Sequence, residues 1–291
     1  MLAQNQQLNR RVLILGLAVF LGILPGCLRM TRHKQQVVTK PGRHSLQLDN
    51  LLLLSDFKIA RDHELIGELE QLREDIVDTL KLPPQRDQVT VYLFSDRLSY
   101  QAYLDTTWPD LPERRAYFVG TSRELAVYTF WGSRTLEDLR HEYTHGILHA
   151  SLNAVPLWLD EGLAEYFEVR GRRVGSINSE HASELSDALS NGWEPDLKRL
   201  ENITEFSELQ RLDYQESWAW VHYMLHMSPE TQVELRDYLH ELRTKSDAGP
   251  ISERLADLTP EFENRFRVYA GSLNSATAVI RAQEYGEENR P

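Results

Sequence analysis

The chain has 291 residues and a formal net charge of -12, from 32 Lys and Arg against 44 Asp and Glu. That acidity argues against nucleic-acid binding. Its single cysteine, Cys27, excludes an intrachain disulfide, a cysteine–zinc cluster and a cysteine-peptidase centre.

The chain opens with Arg10 and Arg11, then an apolar run from Val12 to Leu24, then Pro25-Gly26-Cys27. A basic start, a short apolar stretch and a small-residue end make an export signal. The run is shorter than the roughly 20 residues that a spanning helix needs. Leu24-Pro25-Gly26-Cys27 resembles a lipoprotein signal-peptidase site, which implies removal of residues 1–26 and a lipid on Cys27. An uncleaved single-pass anchor and a cleaved secretion signal are the alternatives. No Asp or Glu precedes Asp49, whereas Arg29, Arg32, Lys34, Lys40 and Arg43 do. Residues 27–45 therefore read as a basic, solvated linker from the membrane to an acidic body.

His44 to Ile59 reads as one extended segment around Leu51-Leu52-Leu53-Leu54. His63 to Leu82 carries Leu65, Ile66, Leu69, Leu72, Ile76 and Leu80 at helical spacing, and Pro83-Pro84 ends that helix. Gln88 to Ser95 alternates and is rich in β-branched residues, which predicts a strand. Asp96 to Leu104 reads as a helix, and Arg115–Gly120 and Leu125–Trp131 as a strand pair. Thr135 stands where a helix cap belongs, with Asp138 three places on. Leu136, Leu139, Ile147 and Leu148 then recur at helical spacing, and Leu157 to Phe167 supplies a further apolar helix. Helices are also expected over Ala182–Ser190, Ser217–Met227, Thr231–Lys245 and Pro260–Leu273. Asn274–Pro291 is polar and reads as a disordered tail.

The chemistry is concentrated in two of these helices. His141-Glu-Tyr-Thr-His145 is an H-E-x-x-H motif. On a helix its histidines are one turn apart on one face, so two imidazoles converge on one ion while Glu142 reaches a water beside it. In the next helix, Glu161 and Glu165 sit among Trp158, Leu159, Leu163, Ala164 and Phe167. Carboxylates are costly to bury on such a face without a cation as partner. Two other histidine pairs have the same spacing, His145 with His149 and His222 with His226. Neither has a glutamate after its first histidine, and both read as ordinary helix residues.

HEYTH followed by PLWLDEGLAEYFE resembles the gluzincin zinc metallopeptidases, and most closely the small bacterial domains described as peptidase MA-like. The resemblance implies an α+β fold in which a thermolysin-like core packs a small mixed sheet on the H-E-x-x-H helix, followed by a mainly helical lobe. It implies one Zn2+ per chain, held by His141, His145 and Glu161, with Glu142 as general base. Glu165 would then orient a zinc histidine. Glu161 lies 16 residues after His145 and Glu165 lies 20 after it, so Glu165 remains the rival third ligand. Tyr214, ahead of Ser217-Trp-Ala-Trp-Val-His, matches a tyrosine that binds the developing oxyanion. In such enzymes an edge strand also binds peptide as an added strand, and Ala116–Gly120 and Leu125–Thr129 are the two candidates.

These readings divide the chain into a catalytic lobe over residues 46–170, a helical lobe over 171–273 and a tail over 274–291. The expected function is a membrane-tethered, extracytoplasmic zinc peptidase with peptide or protein substrates, with endopeptidase favoured and aminopeptidase left open. A non-catalytic zinc scaffold and a zinc hydrolase of non-peptide amides are the alternatives.

Overall fold

A computed structural model describes residues 39–170 and 174–288. The export signal, Cys27 and most of the linker lie outside the described residues. The described residues form one compact unit. Its class is α+β, with one mixed five-stranded sheet and ten α-helices among the described residues.

The expected single extended segment is a hairpin of β1 (His44–Leu48) and β2 (Leu51–Ser55). Asp49 turns the chain between them at φ 42, a left-handed conformation that Asp tolerates better than most residues. The linker also ends earlier than expected. Lys40 is docked, with its Nζ donating to Tyr92 Oη at 3.0 Å and to Glu124 at 2.9 Å.

After β2, helix α1 (Glu64–Leu80) crosses over to β3 (Val89–Phe94), which pairs parallel to β2. Helix α2 (Arg97–Thr107), capped by Asp96, leads to β4 (Ala116–Gly120) and β5 (Leu125–Phe130). The order is β1-β2-β3-β5-β4, with β3 and β5 parallel and β4 and β5 antiparallel. β4 is therefore an edge strand, and β5 lies inside the sheet.

Strand β3 is buried on both faces, and its alternation separates two cores. Val89, Val91 and Leu93 face the main core with α1. Tyr92 and Phe94 face an aromatic cluster with Tyr100, Tyr103 and Tyr128, beneath α2.

Helix α3 (Thr135–Ser151) lies on the main-core face. Its N-cap is Arg134, not Thr135. The Thr135 hydroxyl instead accepts from Gly132 N at 2.7 Å and donates to the Phe130 carbonyl at 3.1 Å, closing the turn after β5. Gly146 lets α3 settle onto β3, because a Cβ there would stand 2.7 Å from Val89 Cγ1.

The rest is helical: α4 (Leu157–Glu168), α5 (Ser179–Ser190), α6 (Leu197–Glu201), α7 (Arg211–His226), α8 (Pro229–Leu242), α9 (Ile251–Leu258) and α10 (Phe262–Glu288). A 3₁₀ turn at Phe206–Glu208 precedes α7. Helix α10 runs on well past the expected end at Leu273. One continuous core reaches from Leu48 to Leu273. The sheet lobe and the helical lobe are thus two sides of one core, not separate bodies.

Candidate metal centre

Three residues from two helices meet beneath β4. His141 Nε2 stands 3.6 Å from Glu161 Oε2, and His145 Nε2 stands 3.8 Å from Glu161 Oε1. Candidate ligand atoms of His141, His145 and Glu161 all lie within 4.8 Å of one another. A tetrahedral ion with bonds of about 2.0–2.1 Å would place neighbouring ligand atoms roughly 3.3–3.4 Å apart. Each histidine nitrogen is thus a few tenths of an ångström beyond that spacing from a Glu161 oxygen, and the set as a whole lies within 4.8 Å.

The outer ring nitrogens are already committed. His141 Nδ1 donates to Glu168 Oε2 at 2.9 Å. His145 Nδ1 lies 3.0 Å from Asp160 Oδ1, a close but bent contact in which neither atom has a well-directed hydrogen bond. Asp160 Oδ2 accepts from His149 Nε2 at 2.9 Å. A histidine whose Nδ1–H faces a carboxylate presents a bare Nε2 on its other side. With both imidazoles neutral, two such nitrogens and a buried carboxylate, facing one another, form a donor set without a donor hydrogen. A divalent cation satisfies all three, so the residues fit a metal.

The charges agree. Burial alone would push the His141 imidazole down, but Glu161 and Glu168 more than offset it and hold it well above the usual range. His145 is likewise depressed by burial and raised by Asp160 and Glu161, to about 9 overall. Asp160 is raised by burial, yet His145 and His149 hold it well below the usual carboxylate range. The pocket thus concentrates negative potential on the point where the two Nε2 atoms aim.

Glu142 stands beside the trio without joining it. Its Oε2 accepts from the Phe118 main-chain N–H of the edge strand at 2.6 Å. Burial raises its pKa above the ordinary glutamate value. Tyr214, in the first turn of α7, is half-buried near Glu161, His141 and Arg114. A cavity of about 200 Å³ opens over the trio, walled by Leu111, Pro112, Tyr117, Phe118 and Phe206. A larger cavity, about 690 Å³, lies between α1 and the end of α4. Its one buried cation, Arg140, already donates to the Phe167 and Glu168 carbonyls. Convergent donors locate the site at the smaller one.

The structure thus brings together His141, His145, Glu161, Glu142 and Tyr214. Glu165 belongs to a second group that could hold a metal, with His141 and Glu168, and it also serves another histidine. Its Oε2 accepts from His181 Nε2 of α5 at 2.9 Å, and the carboxylates on the two histidines of the trio are Glu168 and Asp160. Sequence reasoning missed both. Glu168 had a signal, since it stands two turns from Glu161 on the same helix face. His222 and His226 are structural, as expected. His222 bonds Tyr269 Oη at 2.6 Å and the Gly175 carbonyl at 3.1 Å, and His226 bonds Tyr166 Oη at 2.9 Å.

No curated protein matches the chain. Residues 137–248 match a family described as a protein of unknown function, DUF1570. The matched stretch runs from the first turn of α3 past the end of α8, and so carries every residue of the trio, its orienting carboxylates and Tyr214.

Proposed function

We propose that this chain is a zinc-dependent peptidase with a gluzincin-like, thermolysin-type core. The observation that carries this reading is the convergence of His141 Nε2, His145 Nε2 and Glu161, each histidine backed by a carboxylate, with an unligated glutamate alongside. Two nitrogens and one oxygen with an open fourth position suit zinc in its catalytic form. Zinc, when bound, supplies Lewis-acid polarisation and a water acidified to near-neutral pKa.

The chain's residues divide the remaining work. Glu142 takes a proton from the attacking water and delivers it to the leaving nitrogen. Its raised pKa suits both halves of that task. The Phe118 N–H fixes the carboxylate between the trio and the edge strand. β4 offers main-chain groups to an extended peptide, which would bind as an added strand with little sequence demand. Tyr214 donates to the carbonyl oxygen as it gains charge. The apolar wall excludes water around the reacting bond.

Two measurements on the full-length protein test the reading. Metal content should be about one zinc per chain, and His145→Ala should lose it. Glu142→Gln should keep the zinc and lower peptide turnover by about 10²–10⁴-fold. Zinc retained with no turnover of any peptide by the unsubstituted protein would favour the scaffold reading. The location belongs to the proposal too: Cys27 would carry a lipid that tethers the domain to the outer side of a membrane. Among the described residues no helix is long and apolar enough to cross one. Cys27→Ser should release the protein from the membrane fraction.

A further inference from the structure

Three arginines line the charged recess beside the trio: Arg114, Arg115 and Arg134. Two of them are paired. Arg115 meets Asp138 at 2.6 Å, and Arg134 is held by Glu137. Arg114 has no carboxylate ion pair among the described residues. Its guanidinium carbon lies 5.9 Å from the Tyr117 ring centroid, and the side chain is exposed at the cavity mouth.

Arg114 lines the charged recess and also the apolar cavity on the other side, and His141 and Glu142 line both as well. It therefore stands on the wall that the two cavities share with His141 and Glu142. Tyr214 lies beside it. In a protein of net charge -12, an unpaired guanidinium over a catalytic trio is a local anion site. A substrate's terminal carboxylate would need a cation set further along the cleft.

We propose, on the basis of the peptidase reading above, that Arg114 joins Tyr214 in receiving the negative charge that develops on the scissile carbonyl oxygen. As the water oxygen adds to the carbonyl carbon, the π pair of the C=O bond moves onto that oxygen, beneath the guanidinium. The pair returns as the C–N bond breaks, and the nitrogen leaves with the proton that Glu142 carried. Donors aimed at charge present only in the transition state raise the rate without tightening substrate binding.

The test separates those two quantities by binding. The ligands are a phosphinic peptide, tetrahedral and anionic at the reacting position, and the matching amide peptide, both with amidated C-termini. Each is titrated by calorimetry into full-length, zinc-loaded protein, with Glu142→Gln present for the amide peptide so that it is not turned over. Arg114→Gln should weaken the phosphinic peptide by roughly 100-fold and the amide peptide by about threefold at most, with zinc content unchanged. Arg114→Lys should recover part of the loss, since it keeps the charge without the planar fork. Equal weakening of both ligands, or of neither, overturns the assignment. So does a loss that is seen only with free C-terminal acids, which would make Arg114 a carboxylate-recognition residue. An unsubstituted protein that holds zinc and binds neither ligand overturns the peptidase reading, and this assignment with it. Binding of both ligands by the unsubstituted protein, unchanged in Arg114→Gln, removes the assignment and leaves the reading standing.

Discussion

Asp160 holds two imidazoles with one carboxylate, His145 through Oδ1 and His149 through Oδ2. It is only 6% exposed, so its negative charge acts through little solvent. Replacing it by Asn keeps the shape and removes the charge that faces His145 Nδ1. Metal affinity should fall by about 10–100-fold, as it does when orienting partners are lost elsewhere. Competition with a chelator of known affinity would measure the change, and an unchanged zinc affinity would show that Asp160 serves only His149. Glu165→Gln should leave zinc affinity nearly intact, because its carboxylate serves His181. The trio and Glu142 were legible in the sequence because a helix turns a short motif into a face. Asp160 and Glu168 were not, because their roles depend on which way each imidazole edge turns, and tertiary packing sets that. Arg114 was hidden for a related reason. It sits in a loop before β4, where no period marks it, and only the folded chain brings it over α3.

At the scale of elements, the Trp-Leu-Asp-Glu-Gly motif of α4 does two jobs. Glu161 faces the two histidines of the trio, and Gly162 faces α7. A Cβ at Gly162 would lie 2.6 Å from the Ser217 carbonyl oxygen, so the two helices touch backbone to backbone there. No side chain can yield at that contact. Gly162→Ala should push α4 away from α7 and cost about 1–3 kcal/mol, the usual range for overpacking. Glu161 adjoins the contact and should be displaced with it, so zinc affinity should fall as well as melting temperature. A variant that melts lower but binds zinc normally would mean that α4 tilts about the trio without moving Glu161. The long helices and β3 to β5 were legible because their apolar periods run for two turns or more, or alternate through a full strand. The β1–β2 hairpin was hidden because its turn depends on Asp49 adopting a left-handed φ, not on glycine or proline. Helices α6 and α9 were hidden because each is short. They anchor by Leu197 with Leu200 and by Ile251 with Leu255, too few residues to define a period.

Over the whole molecule, one core joins the sheet side to the helical side, and buried charge within it ties stability to pH. Glu216 of α7 is 1% exposed. Its Oε1 accepts from Asp196 N at 2.6 Å and from Trp220 Nε1 at 3.3 Å, while its Oε2 has only Arg199, 3.5 Å away. Burial outweighs these partners and pushes its pKa up to about 7. A carboxyl whose folded pKa is raised binds protons in the folded chain that the unfolded chain has already released. Its contribution to stability is therefore complete below the unfolded value near 4.5 and is lost as pH rises through about 7. The loss is on the order of a few kcal/mol, since one pKa unit is about 1.4 kcal/mol and the value rises from near 4.5 to about 7. Glu216→Gln removes the titration and keeps an oxygen that accepts from Asp196 N and Trp220. Stability of the variant relative to the unsubstituted protein, from denaturant melts across this range, should be near zero at pH 5 and favour the variant by pH 8. Curves that stay parallel from pH 5 to 8 would mean that Arg199 closes onto the carboxylate and holds it ionised throughout.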